Sequence, residues 1–249
     1  MGLYEKISIL GPSARFDTCG PKDFGQTTDT PGVYHASLGG NRICRLFKVL
    51  QNNQCKNNCT YCAFRRDRDC QRTSVTPEEM AKAFDSAHQR RLVDGLFLSS
   101  GIVGNSNKTM MEMIETTTIL RRKYNYRGYI HLKIMPETSA DVIKECLNLS
   151  NSLSLNIESP NENTLKELAP GKDLKRGFFH TLSLIKSEIN KRIYLKQKIP
   201  SLTTQFVVGA GEETDQDIIK TTHLLYKSFS LTRVFYSVFS PIQKNTFGK

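Results

Sequence analysis

The sequence has no apolar run approaching the roughly 18 consecutive residues that a membrane-spanning helix needs. Its first residues, MGLYEKISILGPSARFD, bring charge and glycine early and hold no continuous apolar stretch, so no secretory signal is expected. Without export the chain is expected to be cytoplasmic and to have no membrane partner, with its seven cysteines held mostly as reduced thiols or metal ligands. No short repeat of solenoid length is present. Acidic residues are the scarcer charge: 24 Asp and Glu stand against 35 Lys and Arg, a net charge of +11. That balance suits either a solvated lysine-rich surface or contact with nucleic acid, whose phosphates reward cations through counterion release. The lysines are spread along the chain rather than clustered. The local exception is RRDRDCQR, residues 65–72, which brings together Arg65, Arg66, Arg68 and Arg72.

Regular texture is also missing at the start. Residues 1–44 are rich in Gly, Pro, Thr and Asp and follow no period of 2 or 3.6, so they read as an irregular N-terminal extension. From 45 to 249 strand and helix patterns alternate. Strands are predicted at 45–51, 94–100, 129–135, 152–158, 203–209 and 233–240. Helices are predicted at 76–91, 110–123, 139–147, 162–168, 174–189 and 215–227. The helix at 76 is the best marked, with Thr76 as N-cap, Pro77 in the first turn and Glu79 reaching back. Six strands, each but the last followed by a helix and several of them apolar on both faces, predict a parallel α/β sheet. A sixth strand so close to Lys249, with no covering helix, leads us to expect a truncated barrel or an edge covered by a partner.

CKNNCTYC, residues 55–62, places Cys55, Cys59 and Cys62 among polar loop residues after the first strand, at spacings of three and two. Buried structural cysteines would sit at helix or strand periodicity among apolar neighbours. Zinc wants a fourth ligand, for which Cys70 is the available candidate. A cubane iron–sulfur cluster held by three thiolates leaves one iron coordinatively open for a cofactor or substrate.

The spacing C-x3-C-x2-C, with aromatic Tyr61 before the third cysteine, resembles the signature of the radical S-adenosylmethionine (radical SAM) superfamily. The segments LFKVLQNNQCKNNCTYCAFRR (46–66), DGLFLSSG (94–101), YRGYIHLKIMPETS (126–139), LSLNIESPNENTLKELAPGKD (153–173) and TTQFVVGAGEETD (203–215) are similar to one of its branches. That branch holds the radical SAM proteins assigned to DNA modification or repair, whose genes are linked to a uracil-DNA-glycosylase-like partner. The resemblance covers about residues 5–242. It implies a partial (β/α)6 TIM-like barrel carrying a [4Fe-4S] cluster on Cys55, Cys59 and Cys62. It further implies S-adenosylmethionine as cofactor, a reducing electron donor, and hydrogen abstraction from a DNA substrate by a deoxyadenosyl radical. A tRNA or small-metabolite substrate, or a non-catalytic iron–sulfur or zinc docking module, is the alternative.

The same resemblance places Ser99, Ser100 and Gly101 at the cofactor's methionyl amine, although the acidic residue common in that motif is missing here. Asn156 and Glu158 alternate and share one face of the fourth strand, where Glu158 would meet the cofactor's ribose or amine, or form a salt bridge with Lys133. Lys133 is itself a candidate for the cofactor's carboxylate. Val208 and Gly209 stand where the superfamily flanks the adenine, and Gln205 is a candidate for the substrate side. Cys19, His35 and Cys44 are read as ordinary residues or as a second metal site, and the four arginines as a solvated loop or a phosphate-lined entrance.

Overall fold

The structure is a computed structural model and describes residues 1–14, 30–37 and 43–240. In chain order the elements are α1 (Leu3–Ser13), β1 (Val33–Ser37), β2 (Ile43–Leu50), α2 (Pro77–Gln89), β3 (Gly95–Ser99), α3 (Ser106–Arg122) and β4 (Tyr129–Lys133). They continue with α4 (Ala140–Leu149), β5 (Ser152–Ser154), α5 (Glu162–Leu168), α6 (His180–Tyr194), β6 (Ser201–Val208), α7 (Asp215–Phe229) and β7 (Arg233–Val238). A π-helical turn, Leu174–Phe179, runs directly into α6. The strands form one sheet in sequence order from β1 to β7, curled into a half-barrel. β2 to β7 are parallel, while β1 pairs antiparallel with β2 through Tyr34↔Leu46 and Ala36↔Cys44.

Alternation along each strand divides the fold. Leu96 and Leu98 of β3 and Ile130 and Leu132 of β4 are fully buried and pack with Met110, Met113 and Leu120 of α3. The opposite face of the same strands carries Phe97, Ser99, His131 and Lys133 toward the lumen, as a period of 2 requires. Phe47, Phe84, His88 and Tyr126 form an aromatic stack between β2 and α2, with ring centroids 4.8–6.2 Å apart. α2 starts where its capping box predicts. Thr76 Oγ1 accepts from the Glu79 amide at 3.2 Å, and Glu79 accepts from the Thr76 amide at 2.8 Å.

Four elements differ from the sequence expectation. Residues 1–44, predicted to be irregular, contain α1 and the edge strand β1. α1 ends in GPS, and Gly11 sits so close to Gly32 that a Cβ there would lie 2.5 Å from the Gly32 nitrogen. The glycine and proline that read as loop instead let this helix cross closely over the strand's approach. α3 begins at Ser106 rather than at residue 110, because the Asn105 side chain accepts from the Lys108 amide and caps the helix earlier. β5 is only Ser152–Ser154; the predicted continuation to Glu158 leaves the ladder and returns as an isolated bridge to Phe206.

Candidate functional site

The C-terminal ends of the parallel strands open into a cavity of about 270 Å³. Active groups gather at this end of such barrels because the βα loops there vary without disturbing the sheet. Its walls include Cys55, Cys59, Cys62 and Tyr61 from the loop after β2, and Ser99, Ser100 and Gly101 from the end of β3. Lys133 from β4, Asn156 and Glu158 after β5, and Gln205 and Val207 from β6 complete the polar wall.

The loop 51–75 is built as a rigid holder. At its base Gln51 donates through Nε2 to the Val75 carbonyl (2.8 Å) and accepts from Thr116 Oγ1 (2.9 Å). Fully buried Asn53 accepts from the Thr73 amide (2.8 Å) and donates to the Gln71 carbonyl (2.9 Å). Arg72 fills the centre. Its guanidinium donates to the carbonyls of Asn53, Phe64, Arg65 and Arg68 at 2.7–3.0 Å. This takes Arg72 away from the set expected to meet substrate phosphates, because its donors are turned into the loop. Arg66 pairs with Asp67 at 2.9 Å on the surface, and Arg65 Nε is buried without a hydrogen-bond partner. Neither Arg65, Arg66, Arg68 nor Arg72 is part of the cavity wall. Replacing Arg72 with Met, which keeps the length but none of the fork, should lower unfolding free energy by about 2–4 kcal/mol, since hydrogen bonds from a charged donor each contribute about 1.5–3 kcal/mol. Urea denaturation of the apoprotein measures this, and an unchanged midpoint would show that the loop does not depend on the fork.

The end of β3 braces the same loop from the other side. Gly101 donates to the Asn52 carbonyl at 2.6 Å, the Gln51 amide donates to the Ser99 carbonyl at 2.8 Å, and Ser100 Oγ lies 2.8 Å from the Gly101 carbonyl. On the far side Thr60 reaches the Leu168 carbonyl through both its amide (2.7 Å) and its hydroxyl (3.1 Å).

The thiols meet donors. The Ile102 amide donates to Cys55 Sγ and the Phe64 amide to Cys62 Sγ, each at 3.4 Å. Burial pushes the Cys62 thiol up to about 12, with the neighbouring Cys59 and Cys55 adding to the shift and the Phe64 amide and Lys172 opposing it. Among the described residues no three His, Cys, Asp or Glu side chains are grouped as the ligands of one metal ion. All three thiols nevertheless line the one cavity, as a cluster that takes one thiolate per iron needs, and the N–H···S bonds to Cys55 and Cys62 suit cluster ligands. The residues therefore fit a [4Fe-4S] group and do not assemble the four-ligand zinc site considered from the sequence. Cys70 is half-buried and does not contribute to the cavity wall.

A residue that sequence reasoning missed sits beside the thiols. Lys172, in the turn after α5, lines the cavity and reaches Tyr61 Oη at 3.5 Å and the Phe178 ring at 5.5 Å. Tyr61 in turn donates to the buried Glu158 carboxylate. Burial opposes the charge on Lys172, but Cys59, Glu158, Cys55 and Cys62 outweigh it and hold the ammonium above its ordinary range. Burial pushes the Tyr61 phenol upward, with Glu158 and the thiols adding to the effect. Glu158 adopts φ +67°, a left-handed conformation rarely found outside glycine. It is held there by its amide on Gln205 (3.1 Å) and its carbonyl under the Val207 amide (2.7 Å). Backbone strain of this kind concentrates at functional sites.

Val208 and Gly209 are not brought to the cavity wall. Val207 occupies the inward register of β6, which sends Val208 to the other face, where its carbonyl accepts from the Phe239 amide at 2.8 Å. Gly209 is exposed at φ +79° and serves the turn after β6. Cys44 is buried and His35 exposed; they pair with Ala36 and Arg45 respectively and so lie on opposite faces of β1–β2, and neither is part of the cavity wall. Cys19 lies outside the described residues. No helix among the described residues is long and apolar enough to cross a membrane.

A half-barrel whose first parallel strand feeds a three-thiol loop at the carboxyl end places the protein in the α/β class with a candidate iron–sulfur site. The chain belongs to the radical SAM superfamily, whose family model matches residues 51–225. Members of this superfamily use a [4Fe-4S] cluster and S-adenosylmethionine. The chain is 26% identical over 181 residues to tRNA-2-methylthio-N(6)-dimethylallyladenosine synthase of Clostridium perfringens (strain SM101 / Type A), an alignment covering 68% of this chain and 37% of that protein. The enzyme of the same name from Lachnoclostridium phytofermentans is 24% identical over 176 residues, covering 70% and 37%. The chain thus spans less than two-fifths of the length of these curated relatives. Among solved structures, the FeFe-hydrogenase maturase HydG from Carboxydothermus hydrogenoformans superposes with a TM-score of 0.61 at 20% identity, covering 80% of this chain and 46% of that one. Methylornithine synthase superposes at 0.57 and 15% identity, covering 77% and 52%. These two structures share the fold.

Proposed function

We propose that this radical SAM enzyme removes a hydrogen atom from a nucleic acid, with DNA as the substrate and a glycosylase-like protein as partner. The observation that carries the chemistry is that Cys55, Cys59 and Cys62 line one cavity at the strand ends together with Glu158, Asn156 and Lys133. When bound, the cluster and S-adenosylmethionine supply one-electron cleavage and hydrogen abstraction, and an external reductant is needed. The chain's own residues bind and exclude. The three thiolates fix the cluster. The Ser99–Gly101 carbonyls and hydroxyls offer acceptors for the cofactor's amine, and Glu158 and Asn156 offer hydrogen bonds to its polar groups. Lys133 supplies the positive charge for its carboxylate. The apolar wall of Leu50, Ile134, Met135 and Val207 keeps water from the reacting region.

The nucleic-acid reading rests on the net charge of +11 and on the branch resemblance of the motif segments. A second reading, tRNA as substrate, is favoured by the relatives from Clostridium perfringens and Lachnoclostridium phytofermentans, whose names place them on tRNA. Anaerobic reconstitution followed by assay of 5′-deoxyadenosine separates the two. DNA should accelerate its formation by about tenfold or more, and tRNA should not. Stimulation by tRNA alone selects the second reading, and stimulation by neither removes nucleic acid from the proposal.

A further inference from the structure

Lys172 lines the same cavity as all three thiols and Glu158. Its position is fixed from behind by the Phe178 ring and at its head by Tyr61 Oη. The turn that carries it is pinned to the cysteine loop itself, through Thr60 on the Leu168 carbonyl, and closed by the Lys172 amide on the Ala169 carbonyl at 3.0 Å. Thiols and cation are therefore one rigid unit and do not depend on a flexible side chain meeting a distant loop.

We propose that Lys172 sets the reduction potential of the cluster, by holding a fixed positive charge where the added electron is received. The inference rests on the assignment of the cluster to Cys55, Cys59 and Cys62. A cubane on three thiolates is negatively charged, and reduction makes it more so. A nearby cation in an enclosed cavity lowers the cost of that extra charge far more than it would in water. The two N–H···S bonds to Cys55 and Cys62 act in the same direction, drawing charge off the sulfurs. Glu158 acts in the opposite direction, and Tyr61 stands between the two charges. The Lys172–Tyr61–Glu158 row thus places a charge of each sign on the cavity that the thiols line.

The test is a redox titration of the reconstituted full chain without S-adenosylmethionine, read by the visible absorption of the cluster, so that cofactor binding does not enter. Lys172→Gln should make the cluster at least tenfold harder to reduce at a given ambient potential, about 59 mV for one electron. Lys172→Arg, which keeps the charge, should stay within threefold of wild type. Glu158→Gln should shift the ratio in the opposite direction, and it carries the test should Lys172→Gln fail to take up a cluster. Potentials unchanged in Lys172→Gln, or in Glu158→Gln when that variant alone is measurable, overturn the proposal. A wild-type chain that takes up iron and sulfide shows the assignment beneath it to be sound, whereas one that takes up neither overturns both.

Discussion

Replacing Cys59 with alanine is expected to abolish the broad visible absorption of the reconstituted protein and to reduce 5′-deoxyadenosine formation more than about 100-fold. Changes one layer outside a metal ligand already cost about 10–100-fold, and Cys59 is one of the three proposed ligands. It is also the most enclosed of the three thiols, 5% exposed and packed into the core. Removing one sulfur from that position costs the apo fold about 1 kcal/mol. The variant should therefore remain folded, with a urea midpoint close to wild type, while losing the cluster. That separation is what distinguishes a ligand from a core cysteine. Undiminished absorption in Cys59→Ala would remove the cysteine from the site, and a collapse of the fold without any change in iron content per folded molecule would return it to the core.

Gly101→Ala is expected to have the largest effect of any substitution that adds a single carbon. A Cβ on Gly101 would sit 2.0 Å from the Gln54 carbonyl oxygen and 2.8 Å from its carbon, both backbone atoms that cannot rotate away. The Gly101 amide is committed to Asn52 at 2.6 Å, so the two segments cannot separate without losing that bond as well. Overpacking of this kind costs about 3 kcal/mol or more. The cost falls on the backbone immediately before Cys55, so cluster uptake should decline together with thermal stability. Thermal denaturation of the apoprotein and iron content after reconstitution are the two readouts. Wild-type values in both would mean that the loop yields at this contact. The result would also revise the meaning of SSG. The superfamily resemblance assigns the glycine to the cofactor's amine, while the geometry shows that its missing side chain first serves the approach of β3 to the cysteine loop.

Much of this architecture was legible because it is written in local chemistry. The Thr76–Pro77–Glu79 capping box starts α2 where it was expected. The apolar, two-faced strands 94–100 and 129–135 reappear as β3 and β4, shortened at the ends. The cysteine spacing marked the site itself. What was not legible depends on contacts across the chain. α1 was hidden because its last turn contains Gly11 and Pro12, which read as loop until Gly32 is seen against them. Arg72 looked like one more cation in RRDRDCQR; only the folded loop reveals four carbonyls converging on it. Lys172 lies in LAPGKD, quoted for its resemblance but without periodicity or pairing to give it a role. Its neighbour Tyr61 is 111 residues away in sequence. Val208 and Gly209 were assigned from position after a strand, and the register of β6 gave the inward direction to Val207 instead.

The sheet runs in sequence order, so each strand pairs with the one made just before it, although every parallel pairing must wait for the crossover between the two. The tie between Thr60 and Leu168 reaches further along the chain, spanning 108 residues. A nascent chain that has produced all three cysteines still lacks the wall carrying Lys172 until α5 and its following turn have been synthesised and docked. The metal pocket is thus an early sequence but a late structure. Cluster loading should follow that docking, and a ribosome-released intermediate lacking it would expose thiols to oxidation with no finished pocket in which to place iron.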